Sequence, residues 1–301
     1  MSQNRILRVV LWMVGALLSF STMAVSVREL ALAGLNIFEI LAVRAGGSLI
    51  ILLGILALQP SLATHMRPRR MGINFLRNLV HFGAQYAWSL SLTLLPLATV
   101  FALEFTMPAW TALLAVWLLH ERMTKSRLGV VVLGLIGVLV ILRPGITTFN
   151  PASFLVLIAA VGYAITMITT KMLTRTETTF GIVFWMGVIQ FPISLIDSHV
   201  SSFMQLGPHQ ILPLLGVAIA GLSSHYCLSN AFRAGDATLV VPLDFMRIPL
   251  IAVVGWAFYN EGLDLFVLFG AVIIISGVLW NLRAESIAAR KPILAPPHLT
   301  G

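Results

Sequence analysis

Five charged residues stand inside stretches that otherwise read as apolar: Glu39, Arg44, Glu104, Asp244 and Arg247. A bare charge in lipid costs at least ~2.5–3.5 kcal/mol on insertion scales, so such groups turn to a protein interior, a wet cavity or one another. Asp244 and Arg247 are three residues apart, near enough on a helix to pair. Glu39 and Arg44 are five apart, a poorer fit, so each is expected to meet other partners. Glu104 has no basic residue near it in its own helix. Structural ion pairs that fix helix packing are one reading of this set. The other is a chamber offering both signs of charge to a zwitterionic or amphoteric solute. In it, Glu104 would couple to protons or hold a substrate amine.

The acids also answer one another along the chain. A shift of 140 carries Leu103–Glu104–Phe105 onto Leu243–Asp244–Phe245, Glu121 onto Glu261, and Tyr86 and Ser89 onto Tyr226 and Ser229. It carries Gly137–Val138–Leu139 onto Gly277–Val278–Leu279 and Arg143 onto Arg283. The chain therefore reads as a duplication, with one acid near the middle of a membrane helix in each copy. Glu121 and Glu261 fall at span ends and read as helix-end or gate residues. Tyr86, Tyr226 and Trp110 are candidate substrate contacts among the aromatics, since rings stack on other rings and on cations. His81 and His225 have no second ligand at helical spacing, so no metal site is expected. Pro108, Pro192, Pro242 and Pro249 interrupt helices and can open kinks. Gly129, Gly134, Gly137, Gly270 and Gly277 suit close helix contact, inside the molecule or at a homodimer face.

These residues need helices to hold them, and composition says which kind. Of 301 residues, 58% are hydrophobic and only 10% charged, against about a quarter charged in soluble domains. The class is an all-α integral membrane protein. Apolar runs of membrane length begin near Leu7, Asn36, Gly72, Leu97, Arg127, Ala152, Phe180, Ile211, Ala237 and Leu263. That predicts ten transmembrane helices, five in residues 7–143 and five in 152–283, with a disordered tail over 284–301. With the N-terminus inside, the inner segments hold fifteen of the nineteen Lys and Arg, and the outer ones only Arg28 and Arg143. The bias puts both termini in the cytoplasm. Five spans per copy is an odd number, so the second copy sits upside down relative to the first, an inverted repeat with its site near the midplane. The net charge of +8 is scattered in short loops facing membrane lipid, so no nucleic acid partner is expected. The lone Cys227 allows no internal disulfide. No GxxxxGK[ST], HExxH or GxSxG motif is present, so neither an enzyme nor an ATP-driven machine is expected, and no cofactor.

The span pattern has a counterpart. Arg77 opening the third span, Tyr86–Ser89, the Pro96–Ala98 turn, Pro108, Glu121 and the Arg143–Pro144–Gly145 ending resemble an EamA-type repeat of the drug/metabolite transporter superfamily. The stretch AGDATLVVPLDFMRIPLIAVVGWAFYNEG is similar to the second. The resemblance implies a secondary-active transporter of a small polar or zwitterionic metabolite, of the amino-acid-derived or opine-type metallophore class. Alternating access across the inner membrane, with export as the expected direction, is part of that implication. Import of a cofactor-like solute such as S-adenosylmethionine or riboflavin is the alternative. A membrane-embedded lipid enzyme and a channel are the readings from other classes.

Overall fold

The computed structural model describes residues 3–66, 68–119, 123–143, 150–234, 240 and 243–290. Glu121 and Pro242 lie outside the described residues, as does the tail beyond 290. Among the described residues, twelve α-helices follow in chain order: α1 (Gln3–Leu32), α2 (Ile37–Leu58), α3 (Met71–Leu94), α4 (Leu97–Glu104), α5 (Met107–Leu119), α6 (Lys125–Leu142), α7 (Ser153–Leu173), α8 (Thr179–Ser194), the short α9 (Val200–Met204), α10 (Ile211–Ala234), α11 (Arg247–Tyr259) and α12 (Leu265–Arg290). No strand occurs among the described residues.

Among the described residues, seven stretches are long and apolar enough to cross a membrane, with α4 and α5 together forming one of them. The expected ten is not reached on length and apolarity, for two physical reasons. The 24-residue α3 carries Asn74, Arg77, Asn78, His81 and Gln85, which hold its hydropathy down. The apolar helices α8 and α11 are short, at Thr179–Ser194 and Arg247–Tyr259. Residues 284–290, expected to be disordered, instead continue α12, because AESIAAR is rich in strong helix formers.

Local chemistry sets the helix ends. Thr124 and Thr178 cap α6 and α8 by accepting from Arg127 N at 3.3 Å and Gly181 N at 3.1 Å, the ordinary N-cap device. Arg143 and Asn260 end α6 and α11 in the left-handed region, at φ 45° and 53°.

Small residues let the long helices approach. Between α6 and α12, Gly129 meets Trp280, Leu133 meets Gly277, Gly137 meets Ile274 and Ile141 meets Gly270. One set of numbers rises as the other falls, so the two helices are antiparallel. The Gly137 and Gly270 backbones touch, and a Cβ on either would run into the other's carbonyl oxygen. These glycines serve internal packing rather than a surface. The same opposed order joins α1 to α10 through Gly15–Cys227, Ser19–Ser223 and Ser26–Gly216. It joins α3 to α7 through Arg77–Thr170 and Ala84–Gly162, and α2 to α8 through Gly46–Phe191 and Leu49–Gly187.

The turns gather at two ends. At one end Asn36 donates to Asp197 O at 2.6 Å, Asn150 reaches Leu94 O, Arg143 pairs with Asp264, and Arg28 pairs with Glu261. At the other, Glu177 accepts from Arg69 N at 3.2 Å, Arg70 N at 3.0 Å and Asn74 Nδ2 at 2.7 Å, and Trp185 Nε1 donates to Met66 O at 2.7 Å.

The seam between α6 and α12 is the packing claim most exposed to test. Gly137→Leu should cost about 1–3 kcal/mol, the usual penalty of overpacking, and lower the thermal unfolding midpoint of detergent-purified protein. Gly54→Ala, at a site with nothing within 4 Å, should leave that midpoint unchanged or raise it.

Candidate functional site: opposed charges at two helix breaks

The centre of the molecule is made by two interrupted helices. The first breaks where α4 ends at Glu104 and α5 begins at Met107. Pro108 has no N–H to give the Glu104 carbonyl. The second breaks at Phe245–Met246, just before α11 opens with Arg247. The same tight turn occurs in both, with Thr106 N donating to Leu103 O at 3.1 Å and Met246 N to Leu243 O at 3.1 Å. The turns face one another: the Phe105 and Phe245 rings meet edge to face at 4.8 Å.

Arg247 ties the breaks together. Its Nη2 and Nε donate to Asp244 at 2.5 and 3.2 Å, and its Nη1 lies 3.6 Å from Glu104 Oε1. The second Glu104 oxygen accepts from Trp88 Nε1 at 2.7 Å. The guanidinium lies over Phe20 at 4.0 Å and Phe105 at 5.1 Å, an arrangement that favours a cation. Exposure divides the three charges. The Arg247 side chain is 6% exposed, whereas Asp244 and Glu104 keep 16% and 19%. With both acids ionised the cluster carries one net negative charge, and the acids are its more exposed part.

Opposite in sign stands a wall of basic and amide groups. Arg44, on α2, extends across Gly221 of α10, where a Cβ would sit 2.8 Å from its Nε. No carboxylate among the described residues lies within 4 Å of Arg44. Arg77, on α3, is buried and donates to Thr170 Oγ1 at 2.7 Å and Asn78 Oδ1 at 2.9 Å. His81 sits between Gln85 and Gln190, whose Nε2 atoms lie 3.0 and 2.9 Å from its Nδ1, and its ring is 5.8 Å from Tyr163. The charges of Arg44 and Arg77 reach both His81 and His225, and Arg247 also reaches His225. Asn74, Arg77, Asn78, His81, Gln85 and Trp88 are all buried. They form one stripe of α3, from the Glu177 end to the central acids.

The other expected site residues are placed elsewhere. Glu39 closes the capping box of α2, one oxygen on Asn36 N at 2.8 Å and the other on His199 N at 3.0 Å. It serves a helix end and is not paired with Arg44. Tyr86 packs on Phe38 at 5.1 Å and lines a groove at the Arg28 end. Tyr226 is 62% exposed and meets Trp12 edge to face at 5.8 Å. Trp110 holds a buried Nε1 without a hydrogen-bond partner among the described residues. Glu261 pairs with Arg28 and accepts from Leu97 N at 2.9 Å, in the turn between α11 and α12. Gln85 and Gln190 stand in this interior with no role expected from sequence. The 74, 77, 78, 81, 85, 88 spacing, one face of a helix, carries a signal for Gln85; Gln190, on α8, has none there.

These features define an all-helical membrane protein whose interior is furnished for a small solute. The chain belongs to the EamA-like transporter family, whose model matches residues 7–143 and 150–283. Similar to it is an S-adenosylmethionine uptake transporter of Rickettsia prowazekii, 27% identical over 220 residues, 73% of this chain and 74% of that protein. A riboflavin transporter of Brucella anthropi is 28% identical over 232 residues, 75% of this chain and 81% of that one. A solved crystal structure matches in fold, with a TM-score of 0.56 at 17% identity, covering 94% of this chain and 99% of that one.

Removing Arg247 leaves two carboxylates without their cation. Arg247→Ala should destabilise by about 3–5 kcal/mol, as breaking a buried pair does. The triple change with Glu104→Gln and Asp244→Asn should recover most of that loss, read as thermal midpoint in detergent.

Proposed function

We propose that the chain is a secondary carrier of a zwitterionic, amino-acid-derived metabolite, working by alternating access in the inner membrane with both termini in the cytoplasm. One observation carries this reading: the partly exposed acids Glu104 and Asp244 lie in the same interior as Arg44, a cation with no carboxylate partner among the described residues. A solute with a carboxylate and a cationic centre satisfies both. In this reading Arg44 takes the carboxylate, Glu104 and Asp244 take the cation, Arg247 keeps the two acids together, and Trp88 orients Glu104.

The ten-span, inverted-repeat architecture belongs to the same proposal. Adding α3, α8 and α11 to the seven long apolar stretches makes ten crossings. The antiparallel pairing of α6 with α12, mates in the duplication, supports inversion. So does the grouping of turns at two ends, which alternate along the chain as ten crossings require.

Direction and solute are finer matters. Export was the expectation from sequence, but a relative named for S-adenosylmethionine uptake favours import. S-adenosylmethionine bears a carboxylate, an ammonium and a sulfonium, the charges this interior complements. Riboflavin, neutral at pH 7, would leave Arg44 without a counter-charge.

Uptake of radiolabelled S-adenosylmethionine into proteoliposomes tests the reading. Glu104→Gln and Arg44→Gln should each weaken apparent affinity at least ~30-fold, about 2 kcal/mol, the scale of one charged hydrogen bond. A proton and the substrate cation compete for Glu104, so an imposed outward proton gradient should raise uptake in the wild type and leave Glu104→Gln unmoved. Uptake no greater than in empty liposomes would reject this solute class.

A further inference from the structure

A second feature stands apart from the central cluster, at the end of the molecule where Arg28 and Glu261 pair. A groove of about 670 Å³ opens there, lined by Arg28, Asn36, Tyr86, Thr93, Tyr259 and Glu261 among others. Its size falls in the range of small-molecule sites. A smaller hollow of about 340 Å³ lies beside it, and Pro96 and Glu261 line both. Pro96 and Glu261 thus stand at the partition between the two cavities.

That partition is held by one ion pair and a set of backbone contacts. Arg28 donates Nη1 to Glu261, Nε to Leu92 O at 2.7 Å and Nη2 to Leu95 O at 2.5 Å. The other Glu261 oxygen accepts from Leu97 N at 2.9 Å. The guanidinium lies 4.8 Å above the Tyr259 ring, and the Tyr259 hydroxyl donates to Glu29 at 2.7 Å. The bridge therefore joins the end of α1 to the α3–α4 turn and the α11–α12 turn. Opening it with nothing in exchange leaves two buried charges facing each other unpaired, a heavy cost. A single ion replaces only one partner. A zwitterion replaces both at once: its carboxylate takes the freed Arg28 Nη1, its cation takes the freed Glu261 oxygen, and the backbone bonds at Leu92, Leu95 and Leu97 stay in place.

We propose that this groove is a loading site for the same zwitterionic solute, and that the solute exchanges into the Arg28–Glu261 bridge, opening the partition between the two cavities. The proposal rests on the carrier reading above for the class of ligand, and on the groove's own geometry for the site. Tyr86 and Tyr259 line the same groove and give the rest of the solute aromatic surface.

Binding of radiolabelled S-adenosylmethionine to the full chain in lipid nanodiscs tests it. Wild type should hold two molecules per chain. The Glu104→Gln/Asp244→Asn variant should keep one. Thr93→Trp, which fills the groove from an exposed position without touching the bridge, should also keep one, and should raise the uptake KM several-fold with kcat unchanged. At the remaining site of Glu104→Gln/Asp244→Asn, L-methionine should displace the label, whereas acetate or methylammonium at equal concentration should not. A single wild-type site that survives Thr93→Trp and is lost with the central acids overturns the loading site and leaves the carrier reading standing. Displacement by acetate or methylammonium alone overturns the exchange. No saturable binding to the wild type overturns both the solute class and the loading site built on it.

Discussion

A charge that cannot reach water must have a partner, and the interior of this protein is arranged around that requirement. Arg247 is nearly closed off from solvent, yet it sits between Asp244, Glu104 and the faces of Phe20 and Phe105. Its two acids come from breaks far apart in sequence. To keep the guanidinium satisfied, the turn after Glu104 and the turn after Asp244 must be held against one another. The Phe105–Phe245 contact and the shared turn geometry follow from that demand. Irregular backbone at membrane depth is tolerated where it is enclosed by protein or lines a cavity, and these two turns have both charge and rings to enclose them.

The same constraint shapes α3. Its stripe of Asn74, Arg77, Asn78, His81 and Gln85 would be untenable facing lipid. Asn74, Arg77 and His81 turn instead toward the Glu177 loop, α7 and α8, onto Glu177, Thr170, Gln190 and Tyr163, while Asn78 and Gln85 bond Arg77 and His81 within α3. The polar content that lowers the hydropathy of α3 thus lies between helices. A count by apolarity misses it because a helix with a polar stripe buried between its neighbours is less apolar than one facing only lipid.

Much of this was legible beforehand, and the gaps have causes. The i, i+3 spacing of Asp244 and Arg247 forecast their pairing. The 140-residue correspondence drew attention to Glu104, although nothing in the sequence said that Arg247 would also reach it. Glu39 misled because it follows Asn36 by three residues in front of an apolar run, the signature of a capping box, while its place in a hydrophobic stretch drew the eye. Tyr86 and Tyr226 match in sequence but not in surroundings, since one packs on Phe38 near a groove and the other is mostly exposed. A duplication preserves backbone placement longer than it preserves what each side chain touches.

The asymmetry between the two copies is plain at one pair of positions. Where α3 carries His81, the corresponding residue of α10 is Gly221, and the Arg44 side chain occupies the space that a larger residue would need. Even a methyl group there would push the guanidinium aside. The placement of one interior positive charge is therefore set by a missing side chain on a neighbouring helix. A single codon, coding for no side chain at all, lets this scaffold keep that arginine where it is, and its replacement would shift the charge without altering the arginine itself.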